Sequence, residues 1–179
     1  MSHLFEDKSN NFLLNYKISQ SGETSQIINS QTWSDLTGSE ISYIPASNSN
    51  YIIYEYWFLR TEYSSSAMNV RCKLVYSDDD GSSWSDYLNH TNVFLGSGNN
   101  YVQYRGLTNV RLCLNSWGTS SKKLKIQGSV HNTSSDAILL HKLDTFYDES
   151  GVTGDRYIKP FVSCYSVRSS WVIYTIVTI

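Results

Sequence analysis

The stretch Tyr51 to Tyr63 reads YIIYEYWFLRTEY, thirteen residues dominated by aromatic and β-branched side chains. Such side chains lose rotamer freedom against the preceding turn of a helix and fit the pleated surface of a strand instead. The rest of the chain repeats the theme in shorter runs. Phe12, Leu14, Tyr16 and Ile18 alternate with polar neighbours, and so do Val70, Cys72, Leu74 and Tyr76. A period of two is the mark of a half-buried strand. Further strand-like runs fall at 101–104, 110–114, 124–130, 137–146, 157–167 and 171–179. Within 137–146, Leu139, Leu140 and Leu143 also fit a helix. Between the runs stand turn formers such as Asp78-Asp79-Asp80-Gly81, Gly96-Ser97-Gly98-Asn99-Asn100 and Gly118-Thr119-Ser120-Ser121. Short strands joined by such turns, with no helical crossovers, predict an all-β chain: an antiparallel β-sandwich or jelly roll. The opening residues are more polar than the rest. They predict an N-terminal arm over 1–37, followed by the sandwich domain over 38–179.

Composition narrows the function classes. Of 179 residues only 17% are charged, below the roughly 25% usual in globular proteins. Neutral polar residues replace them, with 30 Ser, 14 Asn and 12 Thr. A net charge of -2 leaves no excess of Lys and Arg to displace counterions from a phosphate backbone. Nucleic acid is therefore not an expected partner. The start of the chain, MSHLFEDK, lacks the apolar run of a signal peptide. The longest apolar stretch, Trp171 to Ile179, is too short to cross a membrane as a helix. The expected location is a cytoplasm, with release by assembly or lysis and no membrane insertion. That last stretch reads as a strand apolar on both faces. It is covered either wholly within the sandwich or in part by a neighbouring subunit.

No catalytic or metal motif stands out, and no cofactor is expected. Cys72, Cys113 and Cys164 form no C-x-x-C pair and sit in apolar alternation, as reduced, packed thiols would. His3, His90, His131 and His141 lack ligand spacing. Glu55, Glu62, Asp144, Asp148, Glu149 and Asp155 include no recognisable acid–base pair. The segment Ser77-Asp78-Asp79-Asp80-Gly81-Ser82-Ser83-Trp84 resembles the Asp-box of sialidases, S-x-D-x-G-x-T-W, with Ser83 in place of Thr. It predicts a structural hairpin turn in which an Asp side chain caps turn amides, Gly81 takes a positive φ and Trp84 folds back. The residues assigned to this turn are Ser77, Asp79, Gly81 and Trp84. Trp33, Trp84 and Trp117 lie beside turns, where an indole face is available to stack on a pyranose ring or a receptor surface.

The segment Gln31 to Tyr56 carries a pattern of turn and strand residues at Trp33, Asp35, Gly38, Ile41, Tyr43, Pro45, Ile52, Ile53 and Tyr54. It resembles the opening of jelly-roll-like modules in tail fibres and other virion structural proteins of marine bacteriophages. The resemblance implies a homotrimeric jelly roll of the tumour necrosis factor type, in which aromatic strand faces pack around a three-fold axis. It implies Tyr54, Tyr56, Phe58 and Tyr174 as subunit-interface residues. It further implies a non-enzymatic virion protein, such as a capsid-surface spike, fibre tip or tail-associated component, made in the host cytoplasm. The arm would dock it to other virion proteins, and its loops would meet a host-surface glycan. The alternative reading is a monomeric carbohydrate-binding β-sandwich module.

Overall fold

The computed structural model describes residues 13–20, 22, 25–63, 69–87, 93–96, 105–130, 137–143 and 156–168. Every regular element among them is a strand: β1 Leu13–Gln20, β2 Gln26–Ile28, β3 Ser34–Asp35, β4 Ile41–Tyr43, β5 Tyr51–Tyr63, β6 Asn69–Ser77 and β7 Ser85–Asp86 in the first half. The second half adds β8 Val93–Gly96, β9 Arg105–Asn115, β10 Lys122–Val130, β11 Ala137–Leu140, β12 Lys142–Leu143, β13 Arg156–Tyr157 and β14 Phe161–Val167. In the first sheet β5 pairs with β9 on one side. On its other side β5 pairs first with β14 and then, near its end, with β11. β1 and β2 extend that side by pairing with β14 and β11. In the second sheet β10 pairs with β6, while β3 and β4 line its far side and β7 and β8 line the far side of β6. All of these pairings are antiparallel.

The connectivity identifies the architecture. Let β1, β3/β4, β5, β6, β7/β8, β9, β10 and β14 fill strand positions one to eight. The first sheet then runs one–eight–three–six and the second two–seven–four–five. This interleaving of two Greek keys is a jelly-roll-like β-sandwich. β11 to β13 come between positions seven and eight in the chain.

Alternation along β5 decides what fills the sandwich. Ile52, Tyr54, Tyr56 and Phe58 are at most 1% exposed and meet Cys72, Leu74, Leu124 and Ile126 of the second sheet. This corrects the subunit-interface expectation. Tyr54, Tyr56 and Phe58 face the chain's own second sheet and are unavailable to a partner, while Tyr174 lies outside the described residues. The expected arm boundary also moves. Residues 13–20 and 26–28 are strands of the first sheet, and Leu36 is in the core. The two-faced stretch 171–179 is outside the described residues, as are His3, His90, His131 and the acids between 144 and 155.

Buried tyrosines do more than fill space. The Tyr54 hydroxyl donates to the Ser39 carbonyl at 2.6 Å, and the Tyr56 hydroxyl to the Thr37 carbonyl at 2.7 Å. Ser39, itself fully buried, donates through Oγ to the Leu36 carbonyl at 2.6 Å and accepts from the Ile126 amide at 3.1 Å. Tyr43 closes the far end, its hydroxyl 2.9 Å from both the Asn15 carbonyl and the Ser166 hydroxyl. The tyrosine bonds cross from one sheet to the other. Burial holds the three phenols above their ordinary pKa, so they stay protonated donors.

His141 follows β11 in the left-handed region (φ 67°) and is fully buried. Its ring stands edge-on to Phe58 and its Nε2 lies 3.5 Å from the Tyr56 hydroxyl. Its Nδ1 has no hydrogen-bond partner among the described residues. Burial pushes its pKa down to about 4 from an ordinary value near 6.5. The folded state therefore binds this proton less readily than the unfolded chain. The stability is intact above pH 6.5 and is lost as the pH falls through the window toward 4, by up to roughly 3 kcal/mol. Urea midpoints should drop between pH 6.5 and 5 in the parent chain and drop less in His141→Asn, which tolerates the same backbone conformation. A parent midpoint that is flat across that interval would contradict the assignment.

Candidate functional site

The outward side chains of the second sheet follow from the same alternation. Cys72 and Leu74 of β6 and Leu124, Ile126 and Val130 of β10 point into the core. Arg71, Lys73 and Val75, and Lys123, Lys125, Gln127 and Ser129, therefore take the opposite face. Register sets Arg71 against Ser129, Lys73 against Gln127 and Val75 against Lys125. β3 delivers Asp35 beside Gln127, and β7 delivers Asp86 beside Val75. Position alone thus brings two acids to a row of cations. Lys125 Nζ lies 2.7 Å from Asp35 Oδ2, and Lys73 Nζ lies 2.7 Å from Asp86 Oδ1. Gln127 donates to Asp35 Oδ1 at 2.8 Å. Partial burial raises the Asp35 pKa, but the bonds from Lys125 and Gln127 and the Lys125 charge outweigh it and bring the net value below the ordinary one.

Two indoles roof this row. Lys125 Nζ sits 3.6 Å from the centroid of the Trp84 ring. Trp33 lies over Lys73 Nζ at 4.9 Å and over the Arg71 guanidinium carbon at 5.2 Å. Cations over aromatic faces attract through the ring quadrupole, more strongly when desolvated. Lys125 is only 7% exposed, whereas the Trp84 ring above it is half-buried. Arg71 and Lys73 rise from the same side of one strand and so take the inner face of Trp33. Both indoles remain half-buried, so each is partly open to solvent.

The Trp84 position is fixed by its turn. Asp79 Oδ1 accepts from the Ser83 amide at 2.9 Å and the Ser77 hydroxyl at 2.6 Å, and Oδ2 accepts from the Ser83 hydroxyl at 2.6 Å. These donors, the Ser77 hydroxyl foremost, hold the Asp79 pKa below the usual carboxylate range. The Gly81 amide donates to Ser77 Oγ at 2.8 Å, and Gly81 adopts φ 95°, which a side chain would strain. Trp84 Nε1 donates back to the Gly81 carbonyl at 3.1 Å. Trp33 is placed by its neighbours in sequence. Leu36 packs on Gly128 so closely that an added Cβ would lie 2.7 Å from Leu36 Cδ2. This sets β3, and with it Asp35 and Trp33, against β10.

Of the three tryptophans singled out in the sequence, the fold unites Trp33 and Trp84 and separates Trp117. Trp117 donates to the Ser120 carbonyl, meets Tyr43 edge-on at 6.4 Å and packs against the core. Sequence reading missed Arg71, Lys73, Lys125, Gln127, Asp35 and Asp86 as members of one face. The alternation of β6 and β10 marks the cations as outward, but it does not tell that the two strands are neighbours.

Elsewhere, Glu55 on the outer face of the first sheet is 2.9 Å from Arg111 Nε, an ion pair. The three thiols are free, and burial raises all their pKa values, Cys72 to about 12. Among the described residues no group of three or more His, Cys, Asp or Glu is placed to hold a metal ion, and no helix is long and apolar enough to cross a membrane.

No family model matches the sequence, and no curated protein matches it. Solved structures match at low identity and low TM-score. TmCBM61 in complex with beta-1,4-galactotriose is 12% identical over 70% of this chain and 83% of its own, with a TM-score of 0.31. The infectious bursal disease virus Gx strain structure is 11% identical over 87% of this chain and 38% of its own, with a TM-score of 0.32. The enzymatically active domain of tailspike protein 4 from bacteriophage CBA120 is 12% identical over 71% of this chain and 18% of its own, with a TM-score of 0.26. Likenesses of this size concern architecture and assign nothing to the site.

Proposed function

We propose that this chain is a non-enzymatic, saccharide-binding β-sandwich that serves as a surface component of a virus particle. The observation that carries the saccharide reading is the pair of indoles, Trp33 and Trp84, held over cations on one sheet face beside Asp35, Gln127 and Asp86. Pyranose rings offer C–H faces to aromatic planes and hydroxyls to carboxylates and amides, and this face supplies both kinds of group. The aromatics are supported from beneath, so little ordering is left to pay on binding.

The acids favour binding over hydrolysis. A glycosidase needs a carboxyl group with a raised pKa to protonate the leaving oxygen. Here Asp35 and Asp86 are ion-paired, and both Asp35 and Asp79 are held below their ordinary values. The pattern over 31–56 that resembles phage virion modules supports placing the contact on a particle surface. Mass spectrometry of purified particles should then recover the chain as a component; its absence from them would refute the placement.

Affinity electrophoresis against soluble polysaccharides, read together with tryptophan emission, tests the saccharide reading. At least one polymer should retard the parent chain and shift its emission. Trp33→Ala should weaken that binding at least about ten-fold while leaving the circular dichroism spectrum and melting cooperative. Trp33→Phe, which keeps an aromatic face, should retain part of it. Retardation that Trp33→Ala does not change would move the site elsewhere.

A further inference from the structure

The cations of this face are not equivalent. Lys73, Lys123 and Lys125 each have a carboxylate partner: Asp86, Asp80 and Asp35 respectively. Arg71 has none. Its Nε donates to the Ser129 hydroxyl at 3.2 Å, and its Nη2 reaches the Gln31 carbonyl at 3.4 Å. Both acceptors are neutral. A guanidinium carries five N–H donors in a planar fork, so most of the Arg71 fork is uncommitted. It is also only half-buried, and its guanidinium carbon lies 5.2 Å from the centroid of the Trp33 ring.

From this asymmetry we infer that the face selects an acidic saccharide. The sugar carboxylate pairs with the free donors of the Arg71 fork while its ring packs against the Trp33 indole. Arginine suits this role better than lysine, because its two parallel N–H groups match the two oxygens of a carboxylate. The lysines of this face already carry carboxylate partners and lack the planar fork. A neutral sugar would instead leave unmatched the one outward cation of β6 and β10 that lacks an anionic partner among the described residues. The inference rests on the saccharide reading above and adds the charge of the ligand to it.

The test uses polygalacturonate, alginate and polysialic acid, each beside its carboxyl-reduced form, in affinity gels with the full chain. The parent chain should bind at least one acidic polymer about ten-fold or more tightly than its reduced counterpart, with the difference shrinking as salt is raised. Arg71→Gln should erase that preference while leaving weak binding to both forms. Arg71→Lys, which keeps the charge but not the fork, should fall between. Trp33→Ala should reduce binding to both forms alike. Equal binding of acidic and reduced polymers, or a preference that survives Arg71→Gln, overturns the acidic class and leaves the saccharide reading standing. Failure to bind any polymer in either form overturns both.

Discussion

The hydroxyls of Tyr54 and Tyr56 cross the core of the sandwich to carbonyls in the turn between β3 and β4, and the working face depends on those two bonds. A buried carbonyl left without a donor costs about 1–3 kcal/mol, so the turn has one low-energy place to sit. That place fixes Leu36 over Gly128 and hands its amide to the Ile126 carbonyl at 2.9 Å. Two residues upstream are the consequences on the other side of the sheet: Trp33 and Asp35 come to rest against Lys73 and Lys125. The interior of one sheet thereby positions the exterior of the other. A sandwich of aliphatic residues alone would pack as well but would not specify where that turn docks.

The chemistry of the outer face is hard to explain as a stabilising device. Lys125 is almost completely covered, and taking an ammonium group out of water is offset only by close pairing and hydrogen bonding. Apolar replacements of such pairs often leave stability unchanged or improved. Directly across from Lys125, Val75 shows what an apolar solution looks like on this face, buried at 2% exposure. The polar solution costs more and gains a flat, supported indole with a carboxylate at its rim. That is the arrangement a ligand needs, and a core does not.

Much of this was legible in the sequence, and the limits have physical causes. Alternation in YIIYEYWF and in VRCKLVY names the strands, and the spacing of Ser77, Asp79, Gly81 and Trp84 names the turn. Alternation does not say which cover an aromatic face meets. Tyr54, Tyr56 and Phe58 suit a subunit interface and an intramolecular core equally well until the second sheet is in place. The opening residues read as an arm because they are more polar than the rest; β1 is an edge strand whose residues 15–20 are all exposed, Tyr16 and Ile18 included. The alternation of Phe12, Leu14, Tyr16 and Ile18 marks a strand but does not say which sheet it joins. The site itself is assembled from segments spread between residues 34 and 130: β3, β6, β7 and β10. The long-range register that joins them is not encoded locally.

The account stands on where the ligand touches. A titration of the 1H–15N correlation spectrum with the tightest-binding saccharide from the panel would report this residue by residue. Shifts concentrated on the indole Nε1 signals of Trp33 and Trp84 and on the backbone of β6 and β10, with Trp57 and Trp117 unmoved, are what the account predicts. Shifts confined instead to the cleft of about 290 Å³ between β1 and β4, around Asn15, Lys17 and Ile44, or to the outer face of the first sheet around Trp57, would contradict it.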